Sequence, residues 1–277
     1  MDEKNHPGYS FKAPGSSGSP LRLPGRGPFP GVDDHLVVPE VTRDEIIGGR
    51  RVVAHPAQPP HATQQSMLDY VLQAHVASGY TAAADLLTRH DVDSDFASDS
   101  CVFKEGVDPE TGGRYLEEIA FEVVSEQNER NVREKAPRMH RRGVRRIFAV
   151  FVKGQQRVCE WSPESQSWCL LDPDSRIEDP CLVAPLSVAA LLDASAADNA
   201  VVEALAAKSN PAILQREAKA EAKGVAEAIL KVLEARGVEV SSEQRQEISS
   251  CRIPDRLDRW LRRAALASSA SEVTSEL

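Results

Sequence analysis

The sequence predicts an α/β (α+β) protein, a mixed sheet flanked by helices with an all-helical segment after it. Three observations predict this. Short apolar runs rich in Val, Ile and Phe recur between Arg51 and Leu171, each ended by Gly, Pro or charged turns. Helical patterns at Ala62–Ala77 and Glu134–Gly143 interrupt them, so helix, strands, helix and strands alternate. Beyond residue 195 the strand pattern stops, and apolar residues step by three and four through Ala- and Glu-rich sequence.

Taken in order, residues 1–40 are rich in Pro, Gly and Ser without period and are expected to be a disordered tail. Residues 41–195 form the mixed domain, and 196–277 the helical C-terminal region. Thr42 is placed to cap a short helical turn through Glu45, and Arg51–Ala54 reads as a strand. Ala62–Ala77 is an amphipathic helix ended by Gly79, with His61 and His75 read as capping or packing residues, neither having a partner at metal-ligand spacing. Thr81–Thr88 reads as a strand. The turn Asp108–Gly113 makes the strands around Asp99 and Glu122 antiparallel neighbours. Glu117 and Glu118 are expected at a solvated strand end. Asn131 and Glu134 could form a capping box, but Pro137 requires either a helix start nearer Glu134 or a kink. Strands follow at Ile147–Val152, Val158–Trp161 and Trp168–Leu171, then a short helix at Leu186–Leu192. Asn210 and Pro211 open a long helix that Gly237 ends, and further helices start at Ser242 and Pro254.

A net charge of −9 with 41% hydrophobic and 27% charged residues describes a soluble globular chain rather than a nucleic-acid coat. No stretch approaches the ~18 apolar residues of a membrane helix. No signal-peptide pattern opens the chain, so the expected location is cytoplasmic with no membrane partner. Five cysteines without a CxxC pair read as reduced core residues.

The chemistry concentrates between Ser94 and Lys153. Asp99 precedes the apolar run Ser100–Phe103, Glu122 sits inside Ile119–Val124, and Lys135 follows in a basic segment. A carboxylate buried on a strand is costly unless it is paired or binds a cation. Two on adjacent strands with a lysine nearby is a layout of metal-dependent hydrolases.

At Asp99, Glu122, Ser125, Lys135 and Gly143–Val144 the chain resembles the Uma-type restriction endonucleases of the PD-(D/E)XK nuclease superfamily. It departs from their pattern at Ser98, where proline is expected, and at Glu126–Asn128. The resemblance spans about Thr42 to Asp193 and implies a restriction-endonuclease-like fold and a Mg²⁺-dependent endonuclease acting on DNA, with Mn²⁺ as a substitute cation. It implies Asp99, Glu122 and the Val123 carbonyl as metal ligands and Lys135 as the catalytic lysine. Glu45 is implied as a third carboxylate, although by its own spacing it is equally a capping-box residue. The segment Arg130–Arg146 holds eight Arg or Lys against one acid, Glu134. Its Arg138, Arg141, Arg142, Arg145 and Arg146 are the expected DNA-backbone contacts. The C-terminal helices resemble the extension of the recombination-promoting nuclease group, and their apolar stripes are plain core or a homodimer seam. Two other classes stay open: a catalytically inactive nuclease fold that binds nucleic acid, and a protein-interaction module working through the C-terminal helices.

Overall fold

The computed structural model describes residues 29–38, 44–53, 58–125 and 129–275. The tail at 1–28, Thr42, and the Glu126–Asn128 departure lie outside them. The chain divides into two compact units, 1–204 and 205–277.

In the first unit an eight-stranded sheet runs in the order β2-β1-β4-β5-β6-β7-β8, with β3 also paired to β4. The strands are β1 (Glu45–Ile47), β2 (Arg50–Val52), β3 (Tyr80–Asp91), β4 (Ser94–Lys104), β5 (Glu117–Val124), β6 (Arg146–Phe151), β7 (Arg157–Ser162) and β8 (Ser167–Leu170). Among the described strands only β5 and β6 are parallel, joined by α2 (Glu129–Arg142); the other pairs are antiparallel. This is the expected mixed sheet flanked by helices.

The chain around Glu45 corrects one expectation. Glu45 is the first residue of a strand and not part of a helical turn, because Gly48 and Gly49, both at positive φ, close a tight hairpin between β1 and β2. The other flanking helix, α1 (Pro59–His75), starts with two prolines in its first turn, where a missing N–H costs nothing. It buries Leu68, Val71 and Leu72. His75 is a packing residue, its Nδ1 2.9 Å from the Val71 carbonyl. Helix α2 begins at Glu129 and carries Pro137 in its interior, so neither a later start nor the capping box is seen. Asn131 and Glu134 instead accept from Arg50 at 3.2 and 2.8 Å. Ala136 and Met139 of α2 pack on Phe96, Ala120 and Ile147. On the sheet, Phe121 and Phe148 stack at 4.9 Å between ring centroids.

At Leu186–Leu192 a two-residue strand β10 (Leu186–Ser187), paired with β9 (Arg176–Ile177), precedes a 3₁₀ turn at Ala189–Leu191, where a single helix was expected. Helix α3 (Ala194–Ala207) was not foreseen and lies mostly in the first unit, past the expected limit at residue 195. Cys169 is exposed, while the other four cysteines are buried as expected.

The second unit contains α4 (Pro211–Ala235), α5 (Ser242–Ser250), α6 (Pro254–Ala264) and α7 (Ala270–Thr274). Asn210 caps α4 through the Ala212 N–H, and Gly237 follows it at positive φ. The buried stripe of α4 is Ala222, Ala226, Ile229 and Leu233, packed with Leu257 and Trp260 of α6, and Leu214 lies exposed outside it. No helix among the described residues is long and apolar enough to cross a membrane.

Candidate active site

The site grows from an interruption in the sheet. Strand β3 pairs along β4 from Tyr80–Lys104 to Asp91–Ser94, which uses one edge of β4. Strands β5 and β1 must share the other. β5 pairs with β4 only as far as Ser100–Phe121, and β1 touches it only at Ile46–Asp95. Between these points no strand of the described residues lies on that edge of β4, and its backbone groups take other partners.

Side chains take that place. The Ala97 N–H donates to Glu45 Oε1 at 2.9 Å, and the Ala97 carbonyl accepts from Lys135 Nζ at 2.8 Å. The Asp99 carbonyl accepts from Gln65 Nε2 at 2.9 Å. The Asp99 side chain crosses the gap, where its Oδ2 accepts from the Val123 N–H at 2.6 Å. Lys135 reaches in from α2, with Nζ 2.9 Å from Glu45 Oε1 and 3.5 Å from Glu122 Oε2. The Lys135 and Glu122 side chains are only 8% and 2% exposed. Glu45, Asp99, Glu122 and Lys135, together with the Val123 backbone, are therefore brought to one place. Glu45 gets there from a strand.

The charges shape one another. Burial pushes the Glu122 carboxyl well above the ordinary range; Lys135 pulls it back, while Asp99 and Glu45 add repulsion. For Lys135 burial alone would lower the pKa, but Glu122, then Glu45 and Asp99, outweigh it and hold the ammonium above the usual lysine range. A lysine in this setting is a hydrogen-bond donor and a counter-charge to the acids around it.

Sequence reasoning missed His61. In the first turn of α1, its Nε2 lies 3.4 Å from Asp99 Oδ1. The hydrogen bond to Asp99, against the opposing effect of burial, raises the imidazole above its ordinary pKa. The available signal was the spacing of His61, Gln65 and Asp69, four residues apart, which puts three polar groups on one edge of a helix. Asp69 bonds the Ser100 hydroxyl.

The arginines of the expected basic patch meet partners within the chain, and Arg141 and Arg145 stay exposed, at 43% and 41%. Arg142 is buried, donating to the Pro30 carbonyl at 2.7 Å beneath the Phe29 ring. Arg141 pairs with Asp91, and Arg146 with Glu160 at 2.6 Å. Arg145 forks onto Asp179 at 2.6 and 2.7 Å and also reaches Glu118. Arg138 donates to the Glu134 carbonyl, with its guanidinium lying over Gly48. Register explains the rest. Arg146 is opposite Ile119, whereas Glu122 is opposite Ala149, three residues or about 10 Å further along the strands. Glu117 is buried as well, with Thr88 bonding it and Arg114 at 3.6 Å, and is not the solvated strand end expected.

The Arg145–Asp179 pair yields a stability test. The Asp179 side chain is 1% exposed. Burial opposes its ionisation, but the bonds from Arg145 and the Cys181 N–H hold the carboxyl down at about 2. With an unfolded value of about 3.9, its contribution is present above that pH and is lost as pH falls toward 2. Asp179→Asn should cost about 2 kcal/mol at pH 7 and flatten the acid limb of a pH series of urea denaturations. An acid limb identical to that of the wild type would show that the pair adds nothing.

A divalent cation can be tested against the groups present. Glu122 Oε1 is buried with no hydrogen-bond partner among the described residues, which a cation would satisfy. Among those residues no group of three or more His, Cys, Asp or Glu is arranged to hold a metal ion. The donor set thus fits an ion that takes one or two carboxylates and fills its remaining positions with water and phosphate, as Mg²⁺ does.

No family model matches the chain, and no curated protein does. Among solved structures it is similar to one from Anabaena variabilis provisionally named a nuclease of DUF820, at 19% identity and a TM-score of 0.44, over 53% of this chain and 88% of that one. A likeness at that level carries no functional argument.

Proposed function

We propose that the chain is a metal-dependent endonuclease that hydrolyses DNA phosphodiester bonds at the gap between β4 and β5. One observation carries the reading. A charged lysine is fixed by Glu45 and the Ala97 carbonyl beside a buried carboxylate that has one oxygen without a partner among the described residues.

Asp99 and Glu122 would hold the cation, which would supply charge to acidify a water and neutralise phosphate oxygens. Lys135 has three N–H donors, and Glu45 and Ala97 occupy two. The third faces the Glu122 side of the gap and turns to the attacking water or to a phosphate oxygen, where it stabilises developing negative charge. Glu45 anchors the ammonium and is not needed as a ligand. This revises its implied role.

The backbone contacts move as well. Arg130 and Arg133, early in α2, lie at the end of the sheet where Glu122 sits, since the Glu129 N–H bonds the Ser125 carbonyl just past β5. Their partners, Glu134 and Glu129, form exposed pairs one helical turn away. Such pairs are worth little and exchange readily for phosphates.

The test is nicking of supercoiled plasmid by the full chain with Mg²⁺, with Mn²⁺ or with EDTA, alongside calorimetric titration of each cation. Nicking that EDTA abolishes is expected. A protein inert with both cations on duplex, single-stranded and branched DNA would overturn the reading and leave a nucleic-acid-binding fold.

A further inference from the structure

We propose that His61 is a positioning residue that holds the Asp99 carboxylate in the orientation a cation requires. The inference rests on the metal-dependent reading above.

Asp99 is gripped at three points. The Val123 N–H takes Oδ2 at 2.6 Å, His61 Nε2 faces Oδ1 at 3.4 Å, and Gln65 Nε2 holds the backbone carbonyl at 2.9 Å. Two of these come from one helix edge, whose next polar group, Asp69, bonds Ser100. Thus α1 tracks β4 from Asp99 to Ser100. A carboxylate offers about four lone-pair positions. A hydrogen bond to one oxygen and an ion-pair contact to the other restrain the plane of the group and leave positions on both oxygens open to a cation.

The histidine sits on a rigid support. Pro59 and Pro60 restrict the backbone of the turn that carries it, and its N–H bonds the Gln58 carbonyl at 3.0 Å. His75 on the same helix provides a contrast. It is 1% exposed and bonds its own helix, as a packing histidine does. His61 is partly exposed and reaches to another element, to the carboxylate of Asp99, which lies beyond the last β4–β5 pair at Ser100–Phe121.

The test compares His61→Ala and His61→Gln with the wild type in the full chain. Gln keeps a side-chain N–H donor that can reach Asp99. Calorimetric Mg²⁺ affinity should fall about 10–100-fold in the alanine variant, as for other groups that orient a metal ligand, and should largely recover in the glutamine variant. The melting temperature of the metal-free protein should stay unchanged in both. Wild-type affinity in His61→Ala overturns the proposal, as does a loss of metal-free stability that Gln does not restore. A wild type that takes up neither Mg²⁺ nor Mn²⁺ overturns the metal reading and the positioning role with it. In that event the shift of the His61 imidazole NMR signals on Asp99→Asn still reports whether the pair forms, so a wrong contact and a wrong reading are told apart.

Discussion

Glu122→Gln should abolish Mg²⁺-dependent nicking while leaving the metal-free protein as stable as the wild type or more so. The buried carboxyl is desolvated and repelled by Asp99 and Glu45. A neutral amide of the same shape removes that cost. The same change removes one of two anionic ligands, and the several kcal/mol of transition-state stabilisation a cation supplies corresponds to a rate loss of about 10³-fold or more. Asp99→Asn should lose cleavage similarly, with the amide oxygen still able to accept from Val123. Retained cleavage in either variant excludes the site, and plasmid nicking with matched thermal melts in EDTA reads both halves of the expectation.

Lys135→Ala should behave in the opposite way. Its ammonium is the counter-charge to Glu45 and Glu122 in a nearly sealed place. Removing it leaves acids facing one another, and the metal-free protein should lose about 3–5 kcal/mol, the usual result of deleting one partner of a buried pair. Mg²⁺ affinity should hold or rise, since a competing cation has gone. Added Mg²⁺ should therefore raise the melting temperature more in the variant than in the wild type. Cleavage at saturating Mg²⁺ should still drop about 10²–10³-fold, as for other transition-state donors. A variant as stable as the wild type in EDTA would mean that the acids are already neutral there and that Lys135 is not their counter-charge.

What could be read from the sequence follows from the range of the interactions. The strands carrying Asp99 and Glu122 declare themselves by local apolar patterning, and the Asp108–Gly113 turn makes them antiparallel neighbours, as found. Lys135 lies one crossover helix away and is brought in by the parallel β5–β6 connection. Glu45 was assigned to the wrong element because Thr-x-x-Glu spacing imitates a helix cap, whereas the Gly48–Gly49 turn settles the matter in favour of a hairpin. The partners of the arginines were hidden for a different reason. Counting charges along 130–146 ignores Asp91, Glu118, Glu160 and Asp179, which pair with Arg141, Arg145 and Arg146 from elsewhere in the chain. His61 was missed because its partner Asp99 is on another element: the His61–Gln65–Asp69 spacing shows a polar edge of α1 but not the carboxylate that this edge faces.

The reach of Glu45 bears on the order of folding. The β1–β2 hairpin meets β4 at the pair Ile46–Asp95, through the Gly48 N–H on the Ser94 hydroxyl and through Ile47 against Phe96, while the lysine partner of Glu45 is 90 residues away in sequence. Contacts between such distant parts of a chain form late, after shorter loops have closed. Docking of the hairpin is then the event that completes the constellation, and until it occurs Lys135 has Glu122 and the Ala97 carbonyl but no Glu45. Assembly of Glu45, Lys135 and Glu122 thus reports that the sheet has finished folding.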